Sequence, residues 1–497
     1  MSSPALSVDT PVVWTSEGRL RGRREGGVTV FRGVDYARAP SGAQRFAAPQ
    51  PPLPWSGVRD AFTPGPACPQ LPSPFAALFG DPTEPQSEDC LHLTVWTPAT
   101  DDAARPVLVW LHGGSYLTGS GNLPRYDGAE LAAEHDAVVV LVTYRIGVLG
   151  FPPFADAVPM SPDGDGFGTG SEPVRNVGAW DLLAALQWVH RNAAAFGGNP
   201  SAVCALGQSA GAQILAALLR LPATTSLLDR AVLHSGPLGL DPIDGEDAAA
   251  EFSRVTGVGT ARAARGTGLD VILEGQGAVV SAPAARGDVR PGVRLVSDGV
   301  LAGGPTSVPD PPATALPLLV TTARDECRLW FSDGAAPDDA GLRQAVAAQF
   351  GEQRTDEVIE RYRAAVGGAP ASILSAIYTD AIFTAPNQQY AEAAARAGNP
   401  VQLARFDVAA RGRHRSYGAA HCIDIPFVLG SEQGRRMPLL EGWSAAELTA
   451  LRDEVRGRWA RFARGEFDSA GDAVSLIGGT DRTSDALLAP EVRPLWR

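Results

Sequence analysis

Lysine is absent from this 497-residue chain: all 42 basic residues are arginine, and against 55 acidic residues they leave a net charge of −13. A chain this acidic is repelled by phosphate backbones and by anionic lipid, which argues against nucleic acid and against a membrane surface as partners. Beside abundant alanine, glycine, proline and arginine, the missing lysine reads as the bias of a GC-rich genome and not as a functional device. No apolar run reaches the roughly 18 residues of a membrane span. The opening Met1-Ser2-Ser3-Pro4-Ala5 lacks the basic, apolar and small-residue succession of a secretory leader, so a cytoplasmic location is expected. Histidine is scarce, so any chemistry that needs an imidazole must draw on His92, His112, His135, His190, His234, His414 or His421. Asp163-Gly164-Asp165-Gly166 superficially resembles the start of a calcium loop, but the later ligands and the closing glutamate are missing. It reads as a solvated turn, and neither a metal nor any other cofactor is expected.

What is present is an alternation. Strand-like apolar runs recur at Val107–Leu111, Val138–Thr143, Val203–Leu206, Ala231–Leu233, Leu318–Thr321 and Val401–Ala404. Helical patterns fall between them, as at Trp180–Asn192, where Leu182, Leu186 and Val189 share a face. Such alternation predicts an α/β fold with a large, mainly parallel sheet covered by helices. Two stretches read as loop or cap insertions: 156–175, rich in Gly, Pro and Asp, and 238–283, rich in Ala and Gly.

The richest local signal is Gly207-Gln208-Ser209-Ala210-Gly211, between the apolar run Ala202–Leu206 and an apolar-faced helical segment, Gly211–Arg220. In so tight a strand-to-helix turn the serine backbone is strained, and the flanking glycines let strand and helix approach. The hydroxyl is thereby exposed as a candidate nucleophile. A serine hydroxyl is weak at neutral pH, so it needs a base, a group that orients the base, and donors for an oxyanion. Donors are offered by the His112-Gly113-Gly114-Ser115-Tyr116 loop after the run Val107–Leu111, with backbone N–H groups of Gly114 and Ser115 converging with that of Ala210. Among the histidines His421 stands out, in a loop of small residues entering an apolar segment. The orienting acid lies in Arg324-Asp325-Glu326, where the run Leu318–Thr321 gives way to a polar loop, and the residues alone leave Asp325 and Glu326 both open. Serine, acid, histidine is the chain order expected of α/β-hydrolases. Tyr116, Trp330 and Phe331 flank these loops with apolar area and are candidate pocket walls.

Nearly the whole chain resembles the type-B carboxylesterases, the bacterial para-nitrobenzyl esterase branch of the family that also contains cholinesterases. Phe31-Arg32-Gly33-Val34-Asp35-Tyr36-Ala37 with Arg45-Phe46 and Pro49 is similar to the family's FxGxxYA and RFxxP opening. Ser87–Pro98 resembles its SEDCLxLNVxxP signature, and Thr143-Tyr144-Arg145-Ile146-Gly147 its NYRxG. Asn176, Gly178, Asp181, Trp188 and Phe196–Pro200 match the approach to the nucleophile, His234-Ser235-Gly236 resembles QSG, and Trp459 with Phe462-Ala463 resembles the C-terminal helix.

The resemblance implies an α/β-hydrolase fold, with Ser209 as nucleophile, Glu326 and not Asp325 as acid, and His421 as base. It also implies Gly114, Ser115 and Ala210 as the oxyanion hole. With those residues running from Gly114 to His421, the chain 1–497 reads as one catalytic domain with insertions near 156–175 and 238–283. The expected activity is hydrolysis of small to medium, neutral apolar or aromatic carboxylic esters through an acyl-enzyme, by a monomer or weak homo-oligomer. The alternatives are a carbamate or amide hydrolase using the same triad, and a non-catalytic cholinesterase-like binding protein. Five positions depart from the family pattern. Gln208 replaces the usual glutamate and cannot form its ion pair, Ser115 replaces a third glycine, and Thr143 replaces asparagine. Cys327 and Cys422 follow the acid and the base; they are read as small buried thiols, with a bridge between them as the rival reading. Cys68 and Cys90 stand where the family often forms a disulfide, and are expected to be thiols in a reducing compartment.

Overall fold

Val138–Val142 (VVVLV) and Leu318–Ala323 (LLVTTA) show no regular apolar-polar alternation, and every residue in both is buried. A strand buries such a run when helices cover both faces of its sheet. The structure, a computed structural model, describes residues 10–496 apart from 81–82, 163–165, 169, 286–289, 304–307, 332–336, 431, 467–473, 479–482 and 485. Asp163, Gly164 and Asp165 of the acidic turn therefore lie outside the described residues.

In chain order the strands are β1 Val12–Trp14, β2 Arg19–Arg21, β3 Arg23–Glu25, β4 Val28–Asp35, β5 Val58–Asp60, β6 His92–Thr97 and β7 Arg105–Leu111. They continue as β8 Val138–Val142, β9 Gly198–Gln208, β10 Arg230–His234, β11 Leu318–Ala323, β12 Val401–Phe406, β13 Val474–Ile477 and β14 Thr483–Ser484. Eleven of them form one sheet in the order β14-β13-β12-β11-β10-β9-β7-β8-β6-β4-β3 among the described residues, and β1-β2-β5 form a small second sheet. The run from β8 to β13 is parallel throughout, with antiparallel pairs at both edges. On β7 the period-two alternation feeds two cores: Val107, Val109 and Leu111 enter one, Leu108 and Trp110 the other.

Each of the six strands expected from sequence is present, and the expected helix spans Val177–Asn192. The Ala-rich insertion 238–283 is more ordered than a loop, because helices Glu246–Thr256, Ala261–Ala264 and Leu269–Ala285 run through it. Alanine, the best helix former, outweighs the interspersed glycines there. By contrast, 156–175 has no helix or strand among its described residues.

The signature residues turn out to be fastenings. Arg45 forks onto Glu88 (Nε to Oε1 2.6 Å, Nη2 to Oε2 2.7 Å) and donates from Nη1 to the carbonyls of Ala264 and Thr267, tying the N-terminal region to the helical insertion. Arg145 donates from Nε to Asp181 Oδ2 at 2.7 Å and from Nη1 to the Ala47 carbonyl, in a pair 3% and 0% exposed. Thr143, in place of asparagine, still anchors a loop: its hydroxyl accepts from the Gly121 N–H at 3.0 Å. Removing one partner of a buried ion pair leaves the other charge uncompensated. Arg145→Met is therefore expected to cost about 3–5 kcal/mol, read as a lower midpoint in urea or guanidinium unfolding. A midpoint like that of the wild type would show that the pair is dispensable.

Candidate active site

Parallel strands finish at one edge of their sheet, so the loops leaving the carboxyl ends of β7, β9, β11 and β12 lie side by side. At the end of β9 the chain turns sharply into the helix Ala210–Leu218, and Ser209 at the corner has φ 52° and ψ −123°. This is the strained conformation expected of the pentapeptide. It is held by the Ser209 N–H, which donates to the His234 carbonyl at the end of β10 (2.8 Å). The two glycines are needed for space: a β-carbon at Gly207 would stand 2.6 Å from the Gly211 carbonyl, and one at Gly211 would collide with the carbonyls of Leu111 and His112.

Ser209, His421 and Glu326 come together in one buried chain of hydrogen bonds. Ser209 Oγ lies 2.8 Å from His421 Nε2, and His421 Nδ1 lies 2.6 Å from Glu326 Oε2. The second carboxylate oxygen accepts from the Ala323 N–H at 2.7 Å, so both Glu326 oxygens are satisfied at zero exposure. Asp325, the rival acid, is used elsewhere: it pairs with Arg324 and Arg328 and accepts from the Ala419 N–H. Burial by itself would lower the pKa of His421, but the Cys422 sulfur and the Glu326 carboxylate outweigh it and hold it well above the ordinary histidine value. Such a chain can strip a proton from a hydroxyl while the carboxylate fixes which ring nitrogen faces it.

The loop after β7 has three successive residues at positive φ: Gly114 (127°), Ser115 (55°) and Tyr116 (66°). The N–H groups of Gly114 and Ser115 meet no acceptor among the described residues, and Ala210 begins a helix, whose first N–H groups have no intrahelical partner. Three free donors from two loops suit a developing negative oxygen. Gln70, which sequence reasoning missed, clamps this loop by exchanging two hydrogen bonds with the Gly119 backbone. His112 is buried and its pKa is pushed down to about 4; its Nδ1–H donates to the Gly113 carbonyl at 2.8 Å, so it serves as a neutral brace.

The three expected wall residues separate. Trp330 lies over the His421 ring, with centroids 5.6 Å apart. Phe331 stacks on Tyr378 at 5.7 Å, and Tyr116 is buried, donating from its hydroxyl to Gln213 Oε1 at 2.6 Å. Phe383, unforeseen from sequence, flanks His421 at 5.0 Å, and Phe75 meets Trp330 edge-on at 5.8 Å. Both sit in apolar segments with no motif to mark them. All five cysteines are thiols: Cys327 is buried as expected, Cys422 is only half-buried, and Cys68 and Cys90 are both buried.

Residues 9–257 match the model of the carboxylesterase family. The chain is 32% identical over 497 residues to a para-nitrobenzyl esterase of Bacillus subtilis, covering 96% of this chain and 94% of that one. It is 32% identical over 472 residues to a phenmedipham hydrolase of Pseudarthrobacter oxydans, covering 92% and 90%. The fold is similar to that of a Geobacillus stearothermophilus carboxylesterase, at TM-score 0.78 and 29% identity over 98% of this chain and 100% of that one. The elbow's dependence on space is directly testable. Gly211→Ala should force strand and helix apart and destabilise the protein by roughly 1–3 kcal/mol, measured by chemical denaturation; a neutral effect would mean that the turn has slack.

Proposed function

Because the chain belongs to the carboxylesterase family and is a carboxylic ester hydrolase, we propose that Ser209 is its nucleophile, His421 its general base and Glu326 the residue that orients the imidazole. The observation that carries this reading is the buried relay of 2.8 Å and 2.6 Å hydrogen bonds from Ser209 Oγ through His421 to Glu326. His421 Nε2 takes the hydroxyl proton as Oγ attacks the ester carbonyl, and the N–H groups of Gly114, Ser115 and Ala210 hold the oxyanion. The same imidazole returns the proton to the departing alcohol. Water, activated in turn by His421, then releases the acid from the Ser209 ester.

The substrate proposed is a small to medium neutral ester with an apolar or aromatic group, since Trp330 and Phe383 place aromatic rings beside His421 and Glu326 is fully buried behind it. A second reading keeps the same residues and changes the leaving group to that of a carbamate or amide. The likeness to the phenmedipham hydrolase, as great as that to the para-nitrobenzyl esterase, supports testing carbamates and amides beside esters. We read the whole chain as one catalytic unit that works as a monomer or weak homo-oligomer in the cytoplasm, apart from membrane and nucleic acid. Among the described residues no single helix is long and apolar enough to cross a membrane.

Ser209→Ala is expected to lower kcat on a nitrophenyl ester by about a million-fold and to abolish labelling by a fluorophosphonate probe. Near-normal turnover would remove Ser209 from its role. The pH profile tests the base. Nε2 can accept a proton only when His421 is neutral, so kcat/KM should rise with pH, with its acid limb above pH 6.5 because the Cys422 sulfur and Glu326 hold the imidazole pKa up. Glu326→Gln should shift that limb to lower pH and depress the maximum; a limb that stays in place would assign it to another group.

A further inference from the structure

Gln208 and Cys422 both depart from the family pattern, and they touch. Gln208 ends β9 with 1% exposure, and its Nε2 donates to Cys422 Sγ at 3.4 Å, within reach for a sulfur acceptor. Its other end lies against the loop after β7, where a β-carbon on Gly113 would stand 2.4 Å from Oε1. The amide thus spans the oxyanion loop and the loop carrying His421, immediately beside Ser209. A carboxylate at position 208 would offer the sulfur no N–H. Cys422 sits at φ 70°, a left-handed backbone conformation that strains any residue with a β-carbon. Its sulfur is held by the Gln208 amide.

We propose that Gln208 and Cys422 form a positioning pair that ties the residue before Ser209 to the residue after His421, and so sets the approach of Nε2 to Oγ. The imidazole is already fixed at Nδ1 by Glu326, and Trp330 and Phe383 pack beside it at tilted angles. Those contacts set its tilt. The distance between its loop and the elbow is bridged by the amide and the thiol, which join segments 214 residues apart in sequence.

The pair rests on the assignment of Ser209 and His421, so wild type and Ser209→Ala are assayed beside the variants. Gln208→Ala and Cys422→Ala should each lower kcat about ten-fold with KM nearly unchanged, as expected of a misplaced base. The double variant should lose no more than the worse single, as for two ends of one link, and Cys422→Ser should recover most of the loss. Losses that multiply, or a Cys422→Gly enzyme as active as wild type, would overturn the pair. A second readout needs no turnover. Cys422 is the one cysteine that is not buried, so iodoacetamide labelling, located by peptide mass spectrometry, reports whether the amide covers its sulfur. Gln208→Ala should alkylate Cys422 several-fold faster than wild type, and an equal rate would break the link even in a protein that hydrolyses nothing. A wild type inactive on every ester, or an active Ser209→Ala, would instead sink the nucleophile assignment, and the labelling result would still decide the pair.

Discussion

The hydrogen bond between Ser209 Oγ and His421 Nε2 joins residues 212 positions apart, and most of the structure described above bears on its 2.8 Å length. One end is set by backbone strain. Ser209 keeps φ 52° only while β9 and the helix Ala210–Leu218 stay pressed together, with the His234 carbonyl holding its N–H. The other end is set by a loop that begins after β12 and has no strand of its own to stiffen it. Its position comes from Glu326, from the aromatic rings and from the Gln208 amide. A parallel sheet solves this problem because strands remote in sequence end at one edge, so the long connections carry the entropy cost while the ends stay fixed.

Buried charge does much of the fastening, and with no lysine in the chain arginine supplies its permanent side-chain cations. A guanidinium can satisfy a carboxylate and a backbone carbonyl at once, through separate N–H groups in one plane. Arg45 and Arg145 do so in the first half of the chain. Arg456, with no exposed side-chain area, does so late in the chain, reaching Glu134 at 2.7 Å, Glu130 at 2.9 Å and the Gly430 carbonyl at 3.0 Å. That binds the helix Ala445–Ala463 to the helix Ala129–His135. The same C-terminal helix supports the elbow from behind: Trp459 Nε1 donates to His234 Nε2 at 2.6 Å. His234 is the residue whose carbonyl takes the Ser209 N–H, so a chain of contacts runs from the surface helix to the strained serine.

Much of this was legible because the features involved have few physical solutions. A run such as Val138–Val142 can be buried on both faces only inside a covered sheet, and a serine between spaced glycines at a strand-to-helix junction has few other uses. His421 and Glu326 could be sought because a serine nucleophile demands them, although Asp325 and Glu326 were separable only by resemblance. In the structure the reason is local geometry: Asp325 is turned to Arg324 and Arg328 while Glu326 faces inward. The bracing of the loop after β7 by Gln70 was not legible. A lone glutamine has no periodicity, and its partner Gly119 becomes its neighbour only when the chain folds.

The walls were the least legible part, for a reason that bears on selectivity. Phe383 lies in a π-helical turn, Asp380–Thr384, inserted between the helices Pro370–Thr379 and Ala385–Arg396. An inserted turn of this kind shifts the helical phase, so a residue that a regular 3.6 period would place on one face is delivered to another. Reading the period through 370–396 therefore aims Phe383 wrongly. Tyr116 stands in the loop after β7, with its ring committed to Gln213 and Phe151. Nucleophile, base and acid depend on chemistry that few residue types can supply, whereas a wall needs only apolar area in the right place. Many residues provide that area, and the fold decides which of them face the substrate.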